Sequence, residues 1–166
     1  ELPGLNLQFA SDLLRFSYTS LTTPMSVYEV DLRTMSRRII KQQPVLGILR
    51  PETLRAERLM AKASDGSLIP ISLVYKSSQK AQGRRPLLLI GYGSYGYPLD
   101  PRFNLPALSL LDRGVVLAIA HVRGGGAFGK EWHHAGRKAT KPNTWKDFIA
   151  CAEYLVKSGY TSPAKL

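Results

Sequence analysis

Acidic residues are scarce in this chain: 12 Asp and Glu stand against 23 Lys and Arg among 166 residues, a formal charge of +11. Cysteine is scarcer still. Cys151 is alone, which excludes an internal disulfide and a cysteine-rich metal site. No apolar run approaches the ~18 residues of a membrane-spanning helix, so no membrane partner is expected. Glu1-Leu2-Pro3-Gly4 has no basic stretch followed by an apolar core. No signal peptide is therefore visible and a cytoplasmic location is expected, although a start without methionine is also what a fragment would show. The positive excess raises the question of nucleic acid, because basic surfaces neutralise phosphates. Here the positives scatter over Arg37-Arg38, Arg55, Arg58, Arg84-Arg85, Arg137-Lys138 and Lys141. No stacking-aromatic module or zinc-knuckle spacing accompanies them, so they read as solvated faces and no nucleic-acid partner is expected.

Hydrophobic residues at 44% and aromatics at 9% indicate a packed globular chain. Residues 12–42 read as a small β-meander, with β-rich runs at Leu13–Thr19, Ser26–Leu32 and Arg37–Lys41. Alternation in Val27–Leu32 predicts a sheet wet on one face. Gln42–Pro51 carries Pro44, Gly47 and Pro51 and breaks every period, so it predicts a linker. The chain then divides into residues 1–50 and 51–166. Glu57–Ala63 and Ser67–Tyr75 flank Asp65-Gly66, which predicts a hairpin closed by a primed turn. Ser77–Arg85 is polar and basic and predicts a surface loop. Leu87–Gly91 and Val115–Val122 are nearly all-apolar runs, with a short helix expected over Leu105–Leu111 between them. Thr144–Ser158 predicts an amphipathic helix with Trp145, Phe148, Ile149, Ala152, Leu155 and Val156 on one stripe. Asn143 or Thr144 is the expected cap, Asp147 favours the dipole of the first turn, and Gly159 ends the last. Cys151 borders the stripe and reads as a buried, inert thiol. An antiparallel hairpin leading into strand–helix units is an α/β sheet with an antiparallel edge.

Two loops follow the apolar strands: Tyr92-Gly93-Ser94-Tyr95-Gly96 and Arg123-Gly124-Gly125-Gly126. In open α/β sheets ligands bind outside the carboxyl ends of strands, so these loops form the candidate site. Gly91–Gly96 matches the dinucleotide fingerprint G-x-G-x-x-G, and Arg123 would suit a 2′-phosphate, which leaves an NADP-binding domain as a minor alternative. Against it, Pro98 and Pro101 fall where the phosphate-binding helix should begin. Gly124–Lys130 matches a phosphate loop except that Glu131 replaces the magnesium-binding hydroxyl. Ser94 resembles a nucleophile-elbow serine, but Tyr92 occupies the first glycine position of that motif. His133 and His134 are adjacent and so do not share a helix face as i, i+4 ligands would. No carboxylate completes a metal set with them or His121 at sensible spacing, so all three read as structural or surface residues and no metal or cofactor is expected.

From about residue 54 to 166 the chain resembles the peptidase domain of the prolyl oligopeptidase family of serine peptidases. The resemblance is carried by Ala63–Gly66, Gly91–Gly96, Leu110–Gly114, His121–Gly126 and Gly159–Pro163. Ser94-Tyr95 and Asp100-Pro101 are more similar to the oligopeptidase B branch than to prolyl oligopeptidase itself. Residues 7–42 then resemble the last blade of the family's β-propeller, a lid that admits only short peptides. The resemblance implies the N-terminal part of an α/β-hydrolase sheet preceded by a propeller remnant. It also implies a Ser-Asp-His triad that follows the fifth strand, so the triad is expected beyond Leu166 and the chain alone is expected to be inactive and poorly stable. Tyr92 carries over as the donor to the oxyanion of the tetrahedral intermediate. Asp100 is the candidate contact to basic substrates, and Arg123 either contacts substrate or orders the glycine loop. Arg102 and Ala127 stand where acidic residues are common in that branch, which weakens selectivity for Arg or Lys. Two other readings remain: a non-catalytic remnant acting as a binding module, and an esterase or thioesterase of the same fold.

Overall fold

The computed structural model describes residues 2–3, 6–46, 50–79 and 84–166. The first sheet is wholly antiparallel. It is built from β1 (Leu2–Pro3), β2 (Leu13–Tyr18), β3 (Ser26–Asp31) and β4 (Arg37–Gln42) in that order. The meander thus forms where β-rich runs predict it, and Leu2–Pro3 adds a short edge that its sequence does not announce. The expected apolar-in, polar-out pattern does not hold. The buried positions of β3 are Ser26 and Glu29, and β4 is exposed throughout. Glu29 is buried because two cross-strand arginines cover it: Arg15 Nε donates to its carboxylate at 2.8 Å and Arg38 Nη2 at 2.6 Å. Those hydrogen bonds, Arg38's above all, hold the Glu29 carboxyl below its usual range.

The second sheet runs β5-β6-β8-β7, where β5 is Leu54–Lys62, β6 Leu68–Lys76, β7 Leu87–Gly91 and β8 Val116–Ala120. β5, β6 and β8 pair antiparallel, and β7 pairs parallel with β8 at the edge. The Asp-Gly hairpin forms, but its turn is not a primed pair. Gly66 alone has positive φ, at 88°, and the Gly66 N–H bonds to Ala63 O while Ala63 N–H bonds to Ser67 O. That is a three-residue loop whose last residue takes the left-handed conformation, which frees Asp65 from it.

The core lies between this sheet and α3 (Pro142–Lys157), with Ile69, Ile71, Leu73, Val116, Ala118 and Ala120 meeting Cys151 and Leu155. Fully burying each leucine or isoleucine contributes about 1.5–3 kcal/mol. The helix has the expected length but a different phase: its buried line is Thr144, Asp147, Cys151 and Leu155, while Trp145 and Ile149 are exposed. Its capping also differs. Pro142 occupies the first turn and no side chain caps the start, because Asn143 Nδ2 donates to Ala135 O and Thr144 Oγ1 donates to Arg123 O instead. Cys151 is buried as expected, and burial pushes its thiol up to about 12.

On the opposite side α1 (Leu108–Asp112) packs with Leu54 and Val74, and Leu21, Val45 and Phe103 join this second cluster. Phe103 N–H donates to Thr19 Oγ1 at 3.3 Å, tying the meander to the second sheet. The linker expected over Gln42–Pro51 begins inside β4 and ends in a 3-10 turn at Pro51–Thr53; residues 47–49 lie outside the described residues. The surface loop expected over Ser77–Arg85 falls partly on 80–83, also outside them, and its last residue is no surface residue. Arg85 is buried, with its guanidinium 4.8 Å from the centre of the Tyr75 ring. Among the described residues no helix is long and apolar enough to cross a membrane.

Candidate active site

Because β7 and β8 are parallel neighbours, both strands end on the same side and their loops emerge together. Gly96 N–H donates to Gly124 O at 3.0 Å, which staples one loop to the other. Their backbones touch at Gly124: φ is +94°, and a Cβ there would lie 2.2 Å from Gly93 O and 2.6 Å from Gly136 O. Only glycine fits that approach. α2 (Gly129–His134) then closes the far side, where His133 Nδ1 lies 2.9 Å from Gly124 O and donates to it.

Arg123 anchors the glycine loop from below. Its Nε and Nη2 donate to Asp147 at 2.9 and 2.6 Å, and its own backbone N–H reaches the same carboxylate at 2.9 Å. Nη1 completes the fork on Asp65 at 2.6 Å and Ser67 Oγ at 3.2 Å. Asp147 is 0% exposed and Arg123 6%. The hydrogen bonds to Asp147 and Asp65 raise Arg123 above its usual range, and the Arg123 guanidinium lowers Asp65 to about 2. Every nitrogen of this guanidinium meets a protein acceptor and its charge faces two carboxylates, so it is not placed to take a 2′-phosphate. No helix follows Gly96 either, since residues 97–104 hold no regular helix, so the dinucleotide reading fails on both counts. The phosphate-loop match fails as well, because Gly124 and Gly126 pack against the carbonyl oxygens of Gly93 and Gly96, which are acceptors and would repel a phosphate.

Tyr92 differs in every respect. It is 47% exposed, and its ring makes an edge contact with Tyr97 at 6.2 Å between centres. Among the described residues its hydroxyl has no hydrogen-bond partner. The crevice it borders is lined by Tyr97, His121, Val122, Gly125 and Gly126. Asp100 lies exposed on the neighbouring loop and accepts from Arg102 Nη2 at 2.8 Å.

Three polar arrangements were not foreseen from sequence. Lys141 Nζ donates to Gly93 O at 2.5 Å and to Ser94 Oγ at 2.9 Å, so Ser94 accepts from an ammonium and is not activated by it. Thr144 Oγ1 donates to Arg123 O at 2.7 Å, linking the helix start to the glycine loop. Ser72 Oγ lies 2.9 Å from His121 Nε2, a serine–histidine contact of the kind that activates nucleophiles. This one is buried, and Ser72 also accepts from Arg58 Nη1 at 2.5 Å. Burial, with Arg58 adding to it, lowers His121 to about 4, and no carboxylate orients its ring among the described residues. The contact is a packed polar bridge across three strands. The one sequence signal for Asp147 is its i, i+4 spacing to Cys151 and then Leu155 on the core line, since a buried carboxylate requires a cation.

Residues 101–166 match the model of the prolyl oligopeptidase family. Over 95% of its length the chain is 46% identical to dipeptidyl aminopeptidase BI of Pseudoxanthomonas mexicana, of which it spans 22%. Among solved structures, 96% of the chain superposes on oligopeptidase B of Trypanosoma brucei with covalently bound antipain, at 45% identity and a TM-score of 0.85. Prolyl oligopeptidase B of Galerina marginata, bound to a 25mer macrocyclization substrate, matches 95% of the chain at 31% identity with the same TM-score of 0.85. The chain covers 22% of each of those structures. The two sheets are thus the propeller-blade meander and the opening part of the α/β-hydrolase sheet that the sequence motifs imply. The strand-end loops, the sheet order and the similarity agree: residues 101–166 carry the match to the prolyl oligopeptidase family, and the chain as a whole is similar to 22% of the length of such relatives.

Proposed function

We propose that the full-length protein hydrolyses short peptides by acyl transfer from a serine nucleophile, with Tyr92 donating to the oxyanion. The observation that carries this reading is the pairing of an uncommitted phenol with a rigid floor. The Tyr92 hydroxyl stands at the strand ends with no described partner, while the loop beneath it is locked by Arg123 and Asp147. A donor aimed where negative charge develops stabilises the transition state more than the substrate. In this reading Arg123 serves loop architecture, which its burial and its bonds to Asp147 and Asp65 support. The triad comes from elsewhere in the full-length protein and the 166-residue chain alone has no turnover.

Cleavage after Arg or Lys is the proposed specificity, with Asp100 as the substrate contact. Arg102 competes for that carboxylate within the chain, so a basic substrate displaces an internal partner before it binds. Residues 1–50 and 51–166 belong to separate domains in this proposal, the first to the lid. Tyr92→Phe in the full-length enzyme tests the assignment. We expect kcat to fall about 10²–10³-fold with KM for an arginyl peptide nearly constant. An unchanged kcat would remove Tyr92 from the oxyanion hole.

A further inference from the structure

Lys141 belongs to none of the sequence motifs, yet it reaches the tyrosine loop more directly than any other described cation. It stands immediately before α3, and both of its acceptors, Gly93 O and Ser94 Oγ, follow Tyr92 in the chain. Gly93 has a φ of +67°, and a Cβ there would lie 2.3 Å from Thr144 Cγ2. Its carbonyl is turned towards the helix start, where Thr144 Oγ1 lies 3.5 Å away but gives its proton to Arg123 O. The ammonium is therefore the group that holds this carbonyl, through a charge-assisted hydrogen bond.

The Tyr92 side chain has little holding of its own, since its ring meets Tyr97 edge-on and its hydroxyl meets no described residue. The direction in which the phenol projects is set by the backbone at residues 92–94, and that backbone is fixed from the α3 side by Lys141. The Arg123 side chain makes no hydrogen bond to this loop among the described residues and supports it only through the backbone of residues 123 and 124. We propose that Lys141 is a positioning residue for the oxyanion donor: by clamping the Gly93 carbonyl it aims the Tyr92 hydroxyl at the reacting carbonyl oxygen. This rests on the reading of Tyr92 given above. Both Lys141 acceptors are protein atoms, so the role is one of aim and not of substrate binding.

A double-mutant cycle in the full-length enzyme tests it. Lys141→Met keeps the aliphatic stem and removes the ammonium. Misplacing a catalytic group by about 1 Å costs on the order of 10²-fold, so a loosened loop is expected to lower kcat about 10- to 100-fold. KM is expected to stay within about twofold, because the lost interaction matters only in the transition state. In the Tyr92→Phe background the same change is expected to alter kcat less than about twofold, since the group it aims is gone. An equal factor in both backgrounds overturns the assignment, and so does a raised KM at constant kcat. If Tyr92→Phe alone leaves kcat intact, the oxyanion reading itself fails and the positioning role fails with it. Should the methionine variant not fold, the cycle is run with Lys141→Gln. The glutamine retains an N–H donor, so a smaller, still non-additive loss is expected, and additivity there overturns the proposal.

Discussion

The two loops at the strand ends have opposite constitutions. In the glycine loop, Arg123 is buried with its fork divided between Asp147 and Asp65, and Gly124 meets its neighbours backbone to backbone. In the tyrosine loop the aromatic side chains stand in solvent, with Tyr92 at 47% and Tyr95 at 88% exposure. One loop satisfies its polar groups internally, and the other leaves a hydroxyl unsatisfied. A preorganised donor requires both: an unpaired group costs stability only slightly while it remains hydrated, and it keeps its aim only if its support cannot relax. The division of labour also separates the effects of substitution. Changes at the Arg123–Asp147 anchor act on stability, changes in Tyr92 act on rate, and changes where the two loops touch act on both.

The sharpest way to break that division is to remove the counter-charge under the glycine loop. Asp147→Ala leaves Arg123 buried with its principal acceptor gone, and breaking a buried pair by deleting one partner costs about 3–5 kcal/mol. We expect denaturant unfolding of the full-length protein to shift to markedly lower midpoint, with activity lost in proportion to the folded fraction. A stable, folded variant with reduced kcat would instead place Asp147 in the chemistry. Gly124→Ala is next in size. Its Cβ would collide with two backbone oxygens at a positive φ, contacts that cannot yield by a side-chain rotation. Strain of this kind costs about 1–3 kcal/mol, and because the displaced atom is Gly93 O we expect kcat to fall together with the unfolding midpoint. An alanine variant with wild-type stability and rate would show that the two loops are not rigidly stapled.

The sequence made parts of this arrangement visible and concealed others for physical reasons. The strands at Leu87–Gly91 and Val116–Ala120 were legible as short apolar runs bounded by glycine, even though β7 lies at the sheet edge with Leu88 and Ile90 exposed. The hairpin was legible from Asp65-Gly66, but not its loop length, because only the glycine takes positive φ. The phase of α3 was misread for a reason of chemistry. Hydropathy assigns the inward stripe to Trp145 and Ile149, whereas the helix turns Thr144 and Asp147 inward to serve Arg123. Buried polar lines are invisible to a hydrophobic period. Glu29 repeats the lesson in the first sheet, where two arginines on adjacent strands bury a carboxylate that alternation places outside. Lys141 was missed because its partners lie more than 40 residues earlier in the chain, and nothing local marks such a pairing.

The smallest effect concerns Asp65, the outer acceptor of Arg123. Its carboxyl is held near 2 by the guanidinium, below its ordinary value of 3.8. A group whose pKa is lower in the folded state stabilises the fold above its unfolded pKa and loses that contribution as pH falls through the folded one. The window for Asp65 therefore runs from about pH 4 down to about pH 2. Its side chain is 44% exposed, so solvent screening limits the contribution to about 1 kcal/mol or less. His121 acts in a separate range: buried neutral with its value near 4, it favours the unfolded state as pH drops from its ordinary 6.5 towards 4. Comparing the protein with its Asp65→Asn variant cancels the histidine, which is unchanged in both. We expect the two unfolding midpoints to differ most above about pH 5 and to converge by about pH 2. A gap that stays constant across that range would mean the Asp65 carboxylate contributes packing and hydrogen bonding but no charge to the floor. The Arg123 fork would then rest electrostatically on Asp147 alone.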